Sequence, residues 1–302
     1  MKIIVSGSSG LVGSALVDSL RSDNHLIARL VRSGSPSPPG PASESIRWEP
    51  PTGSIDLAAM EGAEAVVHLA GASIAGGRWS PARKEILRRS RVDATRHLVA
   101  GLKKLQRKPR VLVSASAVGF YGNRSDEILT ESSLPGNDFL AQICRDWESE
   151  VEQAEESGIR TVSLRFGIIL AANGGALKRM LPPFHLGLGG RLGNGRQWMS
   201  WLTLDEVVSI IRFAIEKDSL SGPVNAVSPN PVTNSHFTRI LASALHRPAL
   251  FPAPRPVLRL ALGEMADALL FSSQRVIPQK LQSSGYQFRH SDLKEAFQSL
   301  FG

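Results

Sequence analysis

The feature that most constrains the fold is the first stretch of the chain, KIIVSGSSGLVG, over residues 2–13. An apolar run typical of a buried parallel strand leads into Gly7, Gly10 and Gly13, and a helical pattern follows over 14–20. A strand that turns tightly into a helix directs backbone N–H groups and the positive helix end at one point, and glycines let a pyrophosphate come close. The stretch therefore predicts a dinucleotide-binding turn, with a plain glycine turn of an α/β protein as the alternative.

Strand and helix patterns alternate along the next two thirds of the chain. Patterns typical of strands lie at 26–32, 65–71, 110–114, 160–170 and 222–228. Helical patterns lie at 80–104, either as one long helix or as a helix with a break, and at 148–156 and 204–217. This alternation predicts an α/β fold, a Rossmann-type doubly wound parallel sheet.

The composition of the sequence changes at Asn173, where glycine-rich segments begin. We therefore expect a dinucleotide-binding core over 1–172, and substrate-side elements with a small C-terminal lobe over 173–302. The strand at 222–228 is assigned to the core. A Pro-, Ser- and Gly-rich segment at 33–45 predicts a loop, and amphipathic patterns at 257–270 and 292–300 predict two late helices.

Composition narrows the function classes. No apolar stretch reaches transmembrane length, and the chain opens on a strand, so we expect neither a membrane span nor a leader peptide. The single cysteine, Cys144, excludes disulfides within the chain and fits a cytoplasmic location. The seven histidines show no paired ligand spacing, so no metal site is expected.

The net charge of +8 comes with basic residues gathered at 78–91 and 103–110. These clusters form solvated helix faces or attract a phosphorylated ligand. Nucleic-acid binding is the weakest reading of them, because basic residues are not interleaved with aromatic ones.

Arg32 bears on the choice of dinucleotide. In this class of fold an acidic residue at the end of the second strand binds the ribose 2′-hydroxyl of NAD. The strand here ends LVRS, with Arg32 and no carboxylate nearby. An arginine suits the additional 2′-phosphate of NADP, whereas a surface arginine without a ligand is the alternative.

Four further motifs carry a family resemblance: AVVHLAG (65–71), SRVDAT (90–95), SASAVGFYG (114–122) and LRFGIIL (164–170). With the glycine turn, they resemble the extended or atypical short-chain dehydrogenase/reductases. The run over 263–288 is similar to an epimerase-like subfamily with its own C-terminal domain. The resemblance implies a nicotinamide dinucleotide in the Rossmann-type domain and a small-molecule substrate against the C-terminal part.

The resemblance also implies cofactor contacts. The glycine turn would cradle the pyrophosphate, Arg32 would meet the 2′-phosphate, and His68–Gly71 would line the cofactor through their backbone. Arg91 replaces a structural asparagine of typical members, so it would reach cofactor phosphate or an anionic substrate instead. The residues assigned to NADP(H) are Gly7, Ser8, Ser9, Gly10, Leu11, Val12, Gly13, Val31, Arg32, His68, Leu69, Ala70, Gly71, Arg91, Ser114, Phe166 and Gly167.

The catalytic assignment departs from the family pattern. Related enzymes use a Ser or Thr on the reacting oxygen and a Tyr-x-x-x-Lys pair for proton transfer. Ser116 fits the first role, with a strand-end serine as the alternative, but Phe139 and Ile143 stand where the pair is expected. Tyr121 is the available phenol, and it either transfers the proton or only shapes the pocket. Cys144, in the same helix, is either a substrate or redox contact or an inert buried thiol.

Two functions remain open at this stage. One is an NADP(H)-dependent, epimerase-like oxidoreductase acting on a small polar substrate. The other is a non-catalytic NADP(H)-binding regulator or assembly factor with a protein partner, which the missing Tyr-x-x-x-Lys pair favours.

Overall fold

The computed structural model describes residues 1–32 and 43–302. Its strands are β1 (Lys2–Ser6), β2 (Leu26–Val31), β3 (Ser43–Glu49), β4 (Ser54–Ile55), β5 (Ala65–His68), β6 (Val111–Ala117), β7 (Ile128–Leu129), β8 (Arg160–Phe166), β9 (Ile168–Ala171), β10 (Trp198–Met199), β11 (Trp201–Thr203), β12 (Gly222–Ala226), β13 (Val232–Thr233) and β14 (Arg275–Val276). Its helices are α1 (Leu11–Ser22), α2 (Leu57–Met60), α3 (Pro81–Arg89), α4 (Val92–Lys103), α5 (Phe139–Glu152), α6 (Gly175–His185), α7 (Leu204–Glu216), α8 (Asn234–Ala244), α9 (Arg255–Leu262), α10 (Glu264–Ala266), α11 (Gln279–Ser283) and α12 (Leu293–Phe301).

Within these residues, one large sheet carries eight strands in the order β12-β8-β6-β5-β1-β2-β3-β4. All neighbours are parallel except β3 and β4, which form an antiparallel edge. Because the strands are parallel, their carboxyl ends meet along one edge, and the order reverses at β1, where ligands bind in such folds. The predicted α/β doubly wound fold is confirmed.

Alternating side chains bury both faces of the sheet. Ile3 and Val5 pack with α1 and α7, whereas Ile4 packs with α4 and α5. A strand that is buried on both faces has a continuous apolar sequence. The first strand could therefore be recognised from its sequence alone.

Several predicted boundaries were wrong. The predicted loop at 33–45 ends earlier, because β3 begins at Ser43; residues 33–42 lie outside the described part. The helix predicted over 80–104, as one piece or with a break, does have a break, at Ser90–Arg91 between α3 and α4. The predicted strand over 160–170 is broken at Gly167, where a side chain would lie 2.5 Å from the carbonyl oxygen of Ser200. This close approach lets β9 leave the large sheet and pair with β11.

A second apolar core lies among the C-terminal elements. Large side chains of α6, β11, α8 and α12 form it, including Leu177, Trp201, Phe237 and Phe297. The strand predicted at 222–228 is β12, at the end of the large sheet. The helix predicted at 257–270 ends instead at Leu262, because Gly263 adopts a φ of +66°. Over the described residues, no helix is both long and apolar enough to cross a membrane.

Candidate functional site

The glycine turn lies at the carboxyl end of β1. Gly7 has a φ of +67°, and a side chain on it would lie 2.8 Å from the backbone of Leu69. A side chain on Gly13 would lie 2.2 Å from the carbonyl oxygen of Gly7, so only glycine allows α1 to start this close to the strand. A hydrogen bond of 3.0 Å from Gly10 N–H to Gly7 O closes the turn.

The first turn of α1 is left open to an anion. Gly10 precedes the helix and offers no side-chain hydrogen bond, and the first turn contains no acidic residue. The first N–H groups of a helix have no partner within it, so those of Leu11, Val12 and Gly13 can be donated outward. Ser8 is buried and Ser9 exposed in the same turn. This cradle fits a pyrophosphate.

Elements on both sides border the turn. Gly174, just before α6, packs against Leu11, where a side chain would lie 2.6 Å from Leu11 Cδ1. Arg32 follows β2, the strand beside β1, and its side chain is exposed; the adjacent Val31 is half-buried. Arg32 therefore follows a strand that ends at the same sheet edge as the glycine turn.

His68 lies behind this edge rather than in it. Its Nδ1 shares a hydrogen bond with Ser6 Oγ at 2.7 Å, and its Nε2 with Thr95 Oγ1 at 3.0 Å. Ser6 Oγ also accepts from the amides of Leu69 and Ala70. Burial lowers the pKa of His68 to about 4, so the ring is neutral and fixes the loop after β5.

Arg91 is occupied by backbone acceptors. Its guanidinium donates to Ala72 O at 3.0 Å and to Leu87 O at 3.2 Å, and it lies over the Trp147 ring. Burial lowers its pKa. Gly71, which is exposed, lies beside this guanidinium. Arg91 thus orders the 71–72 segment, and its contact with an anion remains a prediction.

A row of polar residues crosses the other half of the carboxyl edge. Ser116 on β6 is in register with Arg165 on β8, which is in register with Asn225 on β12. Partners in register project from the same face of a parallel sheet, so the three side chains meet under α5, where Glu148 is buried.

Hydrogen bonds link this row into a continuous network. Arg165 donates from Nε and Nη2 to the two oxygens of Glu148, at 2.9 and 2.7 Å, and Ser116 Oγ donates to Glu148 Oε1 at 2.6 Å. Arg165 Nη1 donates to Tyr121 OH at 2.9 Å, and Tyr121 donates to Asn225 Oδ1 at 2.6 Å. Burial opposes the charge of Arg165, but Glu148 outweighs it and raises the arginine pKa.

Tyr121 and Cys144 are both held in their protonated forms. Tyr121 is fully buried, and burial raises its pKa to about 12. Burial and the nearby Glu148 raise the pKa of Cys144 to about 12 as well. A thiol that stays protonated at neutral pH is a poor nucleophile, so Cys144 matches the inert alternative.

The remaining predicted residues lie along the same edge. Ser114 is buried, pairs in register with His68, and donates to Ala115 O. Phe166 ends β8 with only 9% of its surface exposed, and Gly167 follows it at the break before β9. The assignment of all these residues to a cofactor stays a prediction.

Sequence reasoning missed the partners of Ser116 and Tyr121. Glu148, Arg165 and Asn225 are not among the candidate residues of the sequence analysis. The available signal was an arginine inside the apolar strand LRFGII, because a buried arginine requires a buried carboxylate.

A cavity of about 520 Å³ between α1 and α7 is separate from this edge. Residues such as Ser19, Arg212 and Phe213 line it, and no residue of the glycine turn does.

Comparison with known proteins decides the family. Residues 3–227 match the model of the NAD dependent epimerase/dehydratase family, and residues 253–300 match a domain of unknown function, DUF1731. The chain belongs to the NAD-dependent epimerase/dehydratase family. The family resemblance inferred from the motifs is thereby confirmed.

Members of this family resemble the chain over nearly its full length. An epimerase family protein of Mycobacterium tuberculosis is 44% identical, over 97% of this chain and 95% of its own. Epimerase family protein YfhF of Bacillus subtilis is 36% identical, over 99% and 98%. The crystal structure of human epimerase family protein SDR39U1 with NADPH has a TM-score of 0.85 and 27% identity, over 99% of both chains.

Proposed function

We propose that this member of the NAD-dependent epimerase/dehydratase family binds NADP(H) and acts as an epimerase-like oxidoreductase on a small polar substrate. The observation that carries the proposal is the glycine cradle, in which Gly7 and Gly13 leave no room for a side chain. Arg32 supports the phosphorylated cofactor, because it is exposed and follows β2, the strand that pairs with β1. The human relative solved with NADPH supports the same choice.

Different parts of the chain would bind different parts of the cofactor. NADP(H), when bound, supplies the acceptor or donor of a hydride. The amides at the start of α1 would hold its pyrophosphate, and Arg32 its 2′-phosphate. The loop after β5, fixed by Ser6 and His68, would border the cofactor through its backbone.

Within the network, Ser116 is the residue that we assign to the substrate. Its proton is committed to Glu148, and Arg165 keeps that carboxylate in place. A hydroxyl can accept as well as donate, so Ser116 Oγ would accept a hydrogen bond from a substrate hydroxyl and orient the carbon that bears it. Tyr121 is the candidate for proton transfer, with its own proton committed to Asn225.

A non-catalytic NADP(H)-binding regulator or assembly factor is the second candidate function. The Tyr-x-x-x-Lys pair is absent, and Tyr121 is fully buried with a pKa raised to about 12. Under this alternative the same cradle binds the cofactor, and a protein partner reads the bound state. Both candidates carry the expectations of a cytoplasmic location, no metal and no nucleic acid.

One experiment separates the candidates. Purified protein is titrated with NADPH and NADH, and then mixed with panels of small hydroxy and keto compounds while NADPH absorbance is followed. We expect NADPH binding with turnover of at least one compound, lost in Ser116→Ala and kept in the exposed control Ser149→Ala. Binding without turnover, together with capture of a partner only when NADPH is present, selects the regulator. A folded protein that binds neither nucleotide contradicts both.

A further inference from the structure

The excess of positive over negative charge in this chain lies in two segments. Residues 157–204 and 219–263 contain no Asp or Glu, although they contain ten Lys and Arg residues. The rest of the chain holds 25 Lys and Arg against 27 Asp and Glu, so the two segments account for the whole net charge of +8. Eight of the ten side chains are exposed: Lys178, Arg179, Arg191, Arg196, Arg239, Arg247, Arg255 and Arg259.

The same two segments expose most of the large apolar side chains. Ten large hydrophobic residues are exposed in the described part of the chain, and six of them form what we call the apolar patch: Leu186, Leu188, Leu250, Phe251, Val257 and Leu260. The other four are scattered at Leu26, Ile86, Ile128 and Leu134. A concentration of this kind marks a surface that meets an apolar environment.

Backbone contacts bring the parts of the apolar patch together. The segments 186–193 and 248–253 run side by side, joined by Phe251 N–H to Gly189 O at 3.2 Å and Ala253 N–H to Arg191 O at 2.9 Å. The second segment leads directly into α9, on which no residue is buried. Val257 and Leu260 are three residues apart and share one face of that helix.

The side chains of the apolar patch stand out from the protein. Leu186, Leu250 and Leu260 are 74%, 76% and 80% exposed. Side chains that line a docking groove are sheltered by its walls, whereas these can enter a soft apolar layer. Arg191 and Arg247 flank them, and Arg255 and Arg259 share one carboxylate, Asp267, which leaves a further positive charge.

We propose that the apolar patch and its arginines bind the surface of a membrane rich in anionic lipids. Leucine and phenylalanine side chains would enter the boundary between headgroups and acyl chains, and the arginines would meet lipid phosphates. A second copy of this chain is a poorer occupant, because it would bring the same positive charge to the contact. The sequence analysis predicts no membrane-spanning segment, and that prediction does not bear on peripheral binding.

Vesicle sedimentation tests the proposal on the full chain without nucleotide, so its outcome is independent of cofactor binding. Vesicles of phosphatidylcholine alone are compared with vesicles containing about 30% phosphatidylglycerol. We expect at least about tenfold stronger binding to the anionic vesicles, weakened by added salt. The double variant Leu250→Asp with Leu260→Asp should lose at least about tenfold, while Leu26→Asp, at a matched exposed leucine elsewhere, should not.

A fluorescent label tests insertion directly. Cys144 is only 5% exposed, so a thiol-reactive environment-sensitive dye on Leu260→Cys reports the apolar patch, and the same dye on Leu26→Cys is the control. We expect a blue shift and quenching by spin-labelled lipid at 260 but not at 26. The proposal is overturned if anionic vesicles do not bind, if the double variant binds them as wild type does, or if the dye at 260 stays in water. It is equally overturned if the double variant abolishes a wild-type dimer, or loses binding to soluble polyglutamate as fully as to vesicles.

Discussion

The two halves of the carboxyl edge of the sheet, one at β1 and the other at β6, β8 and β12, differ in the groups that form them. At β1 the edge consists of backbone: glycines without side chains, an uncapped helix start and no acidic group. At β6, β8 and β12 it consists of side chains that bond to one another, with Arg165 at the centre. The backbone half offers free donors to a ligand, whereas the side-chain half has already satisfied its charges. Binding and stability should therefore respond to mutation separately in the two halves.

The largest effect is expected in the side-chain half. Glu148→Gln leaves the buried Arg165 without a counter-charge, and breaking a buried pair from one side costs about 3–5 kcal/mol. Denaturant unfolding should show a loss of that size in the free energy of unfolding. Glu150→Gln, which removes an exposed pair with Arg96, should cost less than about 1 kcal/mol.

The same variant also tests whether the halves are separable. The NADPH affinity of the folded Glu148→Gln protein should change by less than about threefold. In free energy, that change is far smaller than the expected loss of stability. If the folded variant lost NADPH binding, or if its stability were unchanged, the contrast between the halves would be broken.

His68 gives the backbone half a pH dependence. The pKa of this histidine falls from an ordinary 6.5 to about 4, so the unfolded chain binds the proton more readily. Its contribution is complete above pH 6.5 and is lost as the pH falls to about 4, which amounts to about 3 kcal/mol. Unfolding measured across this window should show a shallower acid loss in His68→Gln than in wild type. An equally steep loss would mean that His68 does not titrate as its burial implies; the exposed His236→Gln is the control.

The glycine cradle is tested by a graded pair. Gly13→Ala places a methyl group against Gly7 O and should weaken NADPH binding by more than about a hundredfold, because the helix start is displaced. Gly10→Ala meets the same oxygen only at 3.3 Å and should lose less than about tenfold. Calorimetric titration measures both. Equal losses, or none, would show that the close approach does not set the cradle.

The smallest effect concerns Arg32. Arg32→Glu should weaken NADPH by about tenfold or more and NADH by less than about threefold, since only NADPH carries the 2′-phosphate. The two nucleotides serve as each other's control in the same titration. Equal losses would show that Arg32 does not read that phosphate.

How far the sequence could predict each half follows from the same contrast. The cradle is local: seven consecutive residues, Gly7–Gly13, carry it, so spacing alone indicated its place and its ligand class. The network draws on four separate parts of the chain: Ser116 with Tyr121, then Glu148, Arg165 and Asn225. Strand register aligns Ser116, Arg165 and Asn225, and Glu148 is added by the packing of α5. Local sequence patterns do not show which residues of different strands lie opposite one another.

The C-terminal elements show a second limit. The helices α6 and α8 escaped prediction because their apolar residues face a core shared between distant segments, and Pro182 and Pro183 lie inside α6. The absence of the Tyr-x-x-x-Lys pair is evident from the sequence. The residues that hydrogen-bond to Tyr121 and Ser116 are not, because they come from distant parts of the chain.

Hydrogen exchange of individual backbone amides tests the central claim most directly. If the amides at the start of α1 hold the phosphates, saturating NADPH should slow exchange at Leu11, Val12 and Gly13 by at least about tenfold, and Gly13→Ala should remove that protection. Saturated binding that leaves these amides as fast as in the free protein would contradict the account.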